Sequence, residues 1–229
     1  MSDAQNEKIK DLERKAEVQE LRIKRQRLVG YAHGLLDGAL TMLGPDDTII
    51  DCGANIGKIT MKMAATGAKV FAFEPDPWSF ERLERNTKEF PNVTRFRAAV
   101  GAQAGTLNLF RPADFEDRPR RASTASSLVP GMRDVDERTD GIPVEVVCFA
   151  DWVETKLGEG HKIRLIKVDI EGAELDLMES LMDRGLPDRV GLMLVETHQR
   201  QLPAEAERFT ALKDRVKDFR VGCINLDWI

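Results

Sequence analysis

The sequence predicts an α/β fold, a mostly parallel sheet with helices on both faces, preceded by an N-terminal helical extension. Three observations predict it. From residue 48 onward, short apolar runs of strand length alternate with helical patterns, the signature of parallel strands joined by crossover helices. A glycine-bearing turn directly follows the first of those strands. Hydrophobic residues make up 42% and charged residues 32% of the chain, the balance of a globular protein. No window approaches the ~20 apolar residues that a membrane span needs.

At 229 residues the chain fits one such domain with a small appendage. The division falls at residue 45, giving a helical extension over 1–45 and the α/β domain over 46–229. Residues 5–29 are charge-dense and poor in Gly and Pro, which reads as a helix. Its apolar positions Ile9, Leu12, Ala16 and Ile23 fit a heptad in part, with Gln19 and Gln26 interrupting it. That helix is either a solvated face or a dimerising one. Residues 30–43 read as a second, more apolar helix, which Gly44-Pro45 ends.

The domain itself reads in order. Strands are expected at 48–51, 69–73 and 93–100, with helices over 57–65 and from Pro77 or Ser79 to 90 between them. Residues 106–110 form an extra strand, and 144–149 are strand-like. Buried strands follow at 164–170 and 191–197, separated by a helix over about 171–184. A helix over 203–218 and a strand over 221–229 close the chain. The last strand has no obvious partner in sequence, so it is either unpaired or completed by a second copy. Residues 111–140 are polar and too long for a simple connection, which marks a lid or substrate loop. Its Arg111, Arg118, Arg120, Arg121 and Arg133 suit an anionic or polyhydroxylated group, because guanidinium donates two parallel hydrogen bonds.

The formal net charge of -5 argues against a dedicated nucleic-acid binder. Cys52, Cys148 and Cys223 are odd in number and widely spaced, without metal-ligand or disulfide patterning. A reduced, cytoplasmic compartment is expected. The N-terminus lacks the apolar stretch of a secretory signal.

The turn after the first strand reads Asp51-Cys52-Gly53-Ala54-Asn55-Ile56-Gly57. In a parallel sheet such a turn sits at the carboxyl ends of the strands, where ligands bind. Gly53 permits close approach of a ligand, and Gly57 permits tight packing of the helix on the strand. The spacing is D-x-G-x-x-x-G, so a carboxylate stands where a dinucleotide-binding turn has its first glycine. A pyrophosphate is repelled there, whereas a sulfonium carrying an amino-acid tail is attracted. A structural turn with a capping aspartate is the plainer alternative.

Glu74 ends the second strand 23 residues after Asp51, near the ~20-residue interval at which such folds place an acid on ribose hydroxyls. Asp76 stands beside it. On the strand over 164–170, alternation puts Lys167 and Asp169 on one face. Glu196 and His198 end the neighbouring strand. A lysine inside a buried strand needs a partner. If the two faces match, all four converge at the carboxyl edge. Asp169 or His198 is then the candidate base, and an internal Lys–Glu pair is the structural alternative. No ligand pair has a spacing that dictates a metal, so none is expected, with a divalent ion the alternative if Asp169, Glu196 and His198 converge as its ligands.

Together DCGANIGKIT, FAFEPDPWSFERLERN, IKVDIEGAELDLMESL and LVETH resemble the FkbM family of methyltransferases, over about Asp51 to His198. The resemblance implies a Rossmann-like methyltransferase fold. It also implies S-adenosylmethionine as cofactor and O-methylation of a hydroxyl on a sugar or secondary metabolite. It places Asp51, Gly53, Asn55, Gly57 and Glu74 at the cofactor, and Asp76 completes the expected set. Lys167, Asp169, Glu171 and Glu174 match the family's K-V-D-I-E-G-A-E block. The catalytic residues expected are Asp169, His198 and Lys167. The first 47 residues and the arginine-bearing loop lie outside the shared pattern and are expected to set the acceptor, a small molecule or saccharide. Self-association is expected through the N-terminal helix or the last strand. A non-catalytic binding protein and a nucleotide-dependent oxidoreductase are the rival readings. Asp51 in place of glycine argues against the second.

Overall fold

A computed structural model describes residues 3–132, 135–136 and 138–228. Helix α1 runs unbroken over Asp3–Leu40. The two helices expected there are thus one, because no proline interrupts the ladder before Pro45. Gly30, Gly34 and Gly38 all lie on exposed positions with nothing near them. From residue 11 to residue 28 the helix is exposed on every side, including Leu12, Val18, Leu21, Ile23 and Leu28. From residue 11 onward only its last turns join the core, through Ala32, Leu36 and Leu40, and Trp228 Nε1 donates to the Ala32 carbonyl at 3.1 Å.

The α/β part begins with β1 (Thr48–Cys52), α2 (Lys58–Ala64), β2 (Lys69–Phe73), α3 (Pro77–Thr87) and β3 (Val93–Phe96). Asp76 caps α3 by accepting from the Ser79 N–H at 2.9 Å, with Pro77 at the first helical position. Next come β4 (Ala99–Gly101), β5 (Gly105–Leu109), the short α4 (Pro119–Ala122), β6 (Ile142–Cys148) and α5 (Phe149–Gly158). The chain ends with β7 (Ile163–Val168), α6 (Glu174–Asp183), β8 (Leu192–Val195), α7 (Ala206–Arg215) and β9 (Ile224–Asn225).

Six strands form one sheet in the order β3-β2-β1-β7-β8-β9, and every pairing in it is parallel. The sheet is Rossmann-like, with helices on both faces. One core packs Ile50, Phe73, Ile166 and Val168 against α5, α6 and α7. The other packs Ile49, Val70, Leu165 and Leu194 against α2, α3 and the end of α1.

Three expectations are corrected. The strand expected over 93–100 is two strands, because the chain leaves the main sheet after Phe96. Its continuation, β4, pairs with β6 in a second sheet of order β4-β6-β5. Helix α5 was not expected at all. It follows β6 directly, with Cys148 at the cap position making no side-chain capping bond to the helix, so no turn residue announces it. Finally, β9 pairs with β8 of the same chain through only two residues, and needs no second copy to complete it. No helix among the described residues is long and apolar enough to cross a membrane.

Candidate active site

The order of the main sheet reverses between β1 and β7, and a ligand crevice opens at such a switch point, outside the carboxyl ends of the strands. Register places Asp51 beside Lys167 there, and Lys167 beside Leu194. The crevice is lined by Gly53 and Asn55 after β1, Glu74 and Pro75 after β2, and Ala98 to Val100. Asp169, Ile170 and Glu171 after β7 and Ser123, Thr124, Ser126 and Leu128 from the long loop close it. Among these described residues three are acids and none is basic.

Gly53 has φ +78°, and a Cβ there would stand 1.7 Å from the Asp169 carbonyl oxygen. The β1 turn can therefore pass under β7 only as glycine. Gly57, at φ +85°, serves packing: its Cβ would press on Leu83 and Thr87 of α3 at 2.9 and 3.3 Å. Glu74 is buried, with its two oxygens accepting from the N–H groups of Asn55 at 2.7 Å and Asp76 at 2.8 Å. Burial pushes its carboxyl up to about 8, against those two donors.

Asp51 does not border the crevice. It is fully buried beneath it, accepting from Thr60 Oγ1 at 2.7 Å through one oxygen. The other faces Lys167 Nζ across 3.4 Å. Lys167 is buried too and donates to the Gly53 carbonyl at 2.7 Å, with Asp169 Oδ2 at 3.3 Å. Burial alone would lower its pKa, but Asp169 and Asp51 outweigh that and raise it. The ammonium thus stays charged and holds the β1 turn and Asp169 together. Asp76 is likewise committed: besides capping α3 it forms a two-point pair with Arg111, Nε to Oδ2 at 2.6 Å and Nη2 to Oδ1 at 3.1 Å. The guanidinium also lies over the Phe115 ring, 3.9 Å from its centroid.

Residues 111–132 of the long loop form a strap across the crevice. Asn55 Nδ2 donates to the Ser123 carbonyl at 2.9 Å, and Ser127 Oγ donates to the Glu171 carbonyl. Arg118, Arg120 and Arg121 are exposed. Arg133 lies outside the described residues.

His198 sits under Glu171. Its Nδ1 is 2.9 Å from Glu174 Oε1 and its Nε2 is 3.1 Å from Glu171 Oε2. Burial would lower its pKa, but hydrogen bonds to Glu171 and Glu174 carry it to about 11. An imidazole charged at neutral pH is no proton acceptor, so the general-base role expected of His198 does not fit this geometry. Asp169, Glu171 and His198 come within 4.8 Å of one another. Both histidine nitrogens face carboxylates in this arrangement. Sequence reasoning placed Glu196 at this edge but gave it no catalytic role. Its side chain is partly buried 3.9 Å from His198, and burial together with the Asp169 charge pushes its carboxyl up to about 7. Alternation on β8 had pointed to it, but nothing in sequence showed how it is buried.

These residues lie within the span that matches a family model. Residues 51–220 match the methyltransferase FkbM domain, and the chain belongs to that family of methyltransferases. It is 30% identical over 188 residues to the hexuronic acid methyltransferase AglP of Haloferax volcanii, covering 77% of this chain and 70% of that one. It is 33% identical over 156 residues to Methyltransferase 1 of Beauveria bassiana, and 31% identical over 161 residues to methyltransferase sdnD of Sordaria araneosa. The chain covers 60% of each fungal protein, and 61% and 58% of it are matched in turn. Among solved structures, a precorrin-6y C5,15-methyltransferase from Geobacter metallireducens aligns with 78% of this chain and 68% of its own. The identity is 15% and the TM-score 0.38, a likeness too loose to argue from.

Proposed function

We propose that the chain is an S-adenosylmethionine-dependent O-methyltransferase acting on a hydroxyl of a sugar or secondary metabolite. Residues 46–229 are its catalytic domain and 1–45 an extension. One observation carries this reading: the crevice of an FkbM-family sheet is walled by Glu74, Asp169 and Glu171 with no basic residue among the described lining. Such a wall favours a cationic ligand and disfavours a pyrophosphate. Gly53, packed against the Asp169 carbonyl, sets the β1 turn directly beside that acidic wall.

Bound there, S-adenosylmethionine supplies a methyl group on a positively charged sulfur. Gly53 and Asn55 form the floor and Glu74 accepts from the ribose hydroxyls, while Asp51, Gly57 and Asp76 support the turn from beneath and beside it. Asp169 takes the proton of the acceptor hydroxyl. Lys167 fixes its carboxylate, and His198 acts only as a charged brace. Placement of the two reactants in line supplies much of the rate. A saccharide acceptor is supported by the name of the Haloferax volcanii relative, a hexuronic acid methyltransferase.

Glu74→Ala is expected to weaken S-adenosylmethionine binding by about 1–3 kcal/mol, the range for hydrogen bonds to a charged group. A diol donates to the ionised carboxylate, which forms as pH rises through about 8. Wild-type affinity should therefore increase from neutral to alkaline pH, and the variant should lose that dependence. Calorimetry giving equal affinities and equal pH profiles would remove Glu74 from the ribose.

The strap closes over the bound pair, and its exposed Arg118, Arg120 and Arg121 meet an anionic or polyhydroxylated part of the acceptor. Saturation with cofactor is expected to slow tryptic cleavage after Arg120 and Arg121 several-fold. Equal rates with and without cofactor would leave the strap a spacer.

A further inference from the structure

Two non-glycine residues in the described chain hold a positive φ, Asn55 at 48° and Glu171 at 51°, and both line the crevice. Asparagine tolerates this region through its short polar side chain. A glutamate there carries a penalty of roughly 1–2 kcal/mol that glycine would avoid. Strain of this kind persists where the surroundings impose it, and it clusters at functional sites. Here the surroundings are built for the purpose. The buried Glu174 carboxylate accepts from the N–H groups of Ile170 and Gly172 at 3.1 Å, fixing the backbone on both sides of Glu171. Glu174 also anchors His198, and His198 holds the Glu171 carboxylate. From above, Ser127 of the strap bonds the Glu171 carbonyl. A strained backbone that glycine would occupy freely, locked on three sides, implies that the side chain itself is required at the crevice wall.

We infer that Glu171 is the residue that recognises the positive charge of the methyl donor, holding its carboxylate against the sulfonium and so favouring the donor over the uncharged thioether left after transfer. The assignment rests on the S-adenosylmethionine reading above. The arrangement matches that of Asp169: each carboxylate at the crevice has a buried cation behind it, Lys167 in one case and His198 in the other. Those cations aim the two carboxylates, and Asp169 and Glu171 both lie within the first residues after β7. Glu74 works on the other end of the ligand, the ribose, which donor and product share.

The test compares S-adenosylmethionine with S-adenosylhomocysteine by calorimetry on the full chain. In Glu171→Gln, affinity for the donor should fall about tenfold while affinity for the thioether changes less than twofold. Glu74→Ala, as a control, should weaken both alike. Glu171→Gly keeps the left-handed backbone without strain and leaves His198 paired with Glu174. It should fold normally and show the same selective loss. Equal loss of both ligands, or loss of neither, would overturn the assignment. A wild-type chain that fails to bind the donor would instead sink the cofactor reading itself.

Discussion

Lys167→Met is expected to destabilise the protein by about 3–5 kcal/mol, the cost of removing one partner from a buried ion pair. Asp51 is fully buried and one of its oxygens has Lys167 as its facing cation, with no hydrogen bond among the described residues. Without the ammonium, that carboxylate is left charged in an apolar setting or must take up a proton. The same change removes the 2.7 Å bond to the Gly53 carbonyl, which ties the cofactor turn to β7. Thermal denaturation should show the melting temperature falling on the order of 10 °C. Adding Asp51→Asn to the variant should restore part of the loss, because the stranded charge is then gone. A shift under about 1 kcal/mol in the single variant would mean that this pair does not carry the strand edge.

Asp169→Asn is expected to leave the fold and cofactor affinity intact while lowering turnover by roughly 10²–10⁴-fold, the range for loss of a general base. Asparagine matches the shape of aspartate but cannot take the acceptor's proton. Lys167 keeps Asp51 as its partner, so the stability cost is small. Asp169 is partly open to the crevice, unlike Asp51 below it. Single-turnover measurement separates the chemical step from binding, and full activity in the variant would move the base elsewhere, with Glu196 the next residue to replace.

Much of the sheet was legible because apolar strands, their glycine turn and the helix caps are local features. Thr48–Cys52, Lys69–Phe73 and Ile163–Val168 stand close to where pattern alone put them. Convergence of Lys167 and Asp169 with Glu196 followed from alternation once the register of β1, β7 and β8 was known, and sequence does not supply register. The division of labour among the acids was not legible. Asp51 reads as a ligand in sequence, yet burial makes it the counter-ion of Lys167. Asp76 reads as a further cofactor residue, yet Arg111, 35 residues away, occupies it. His198 reads as a base near neutrality, and only the two glutamates beside it turn it into a fixed cation. Helix α5 and the second sheet were hidden for a related reason: both depend on where the chain leaves one layer for another, which no single turn residue marks.

The central claim is that this crevice is a methyl-donor site, and a crystal structure of the protein soaked with S-adenosylhomocysteine tests it most directly. The ribose diol should lie on Glu74, with the ligand passing over Gly53 and the sulfur toward Asp169 and Glu171. A ligand bound elsewhere, or a crevice that stays empty while a pyrophosphate-bearing nucleotide binds it instead, would contradict the account.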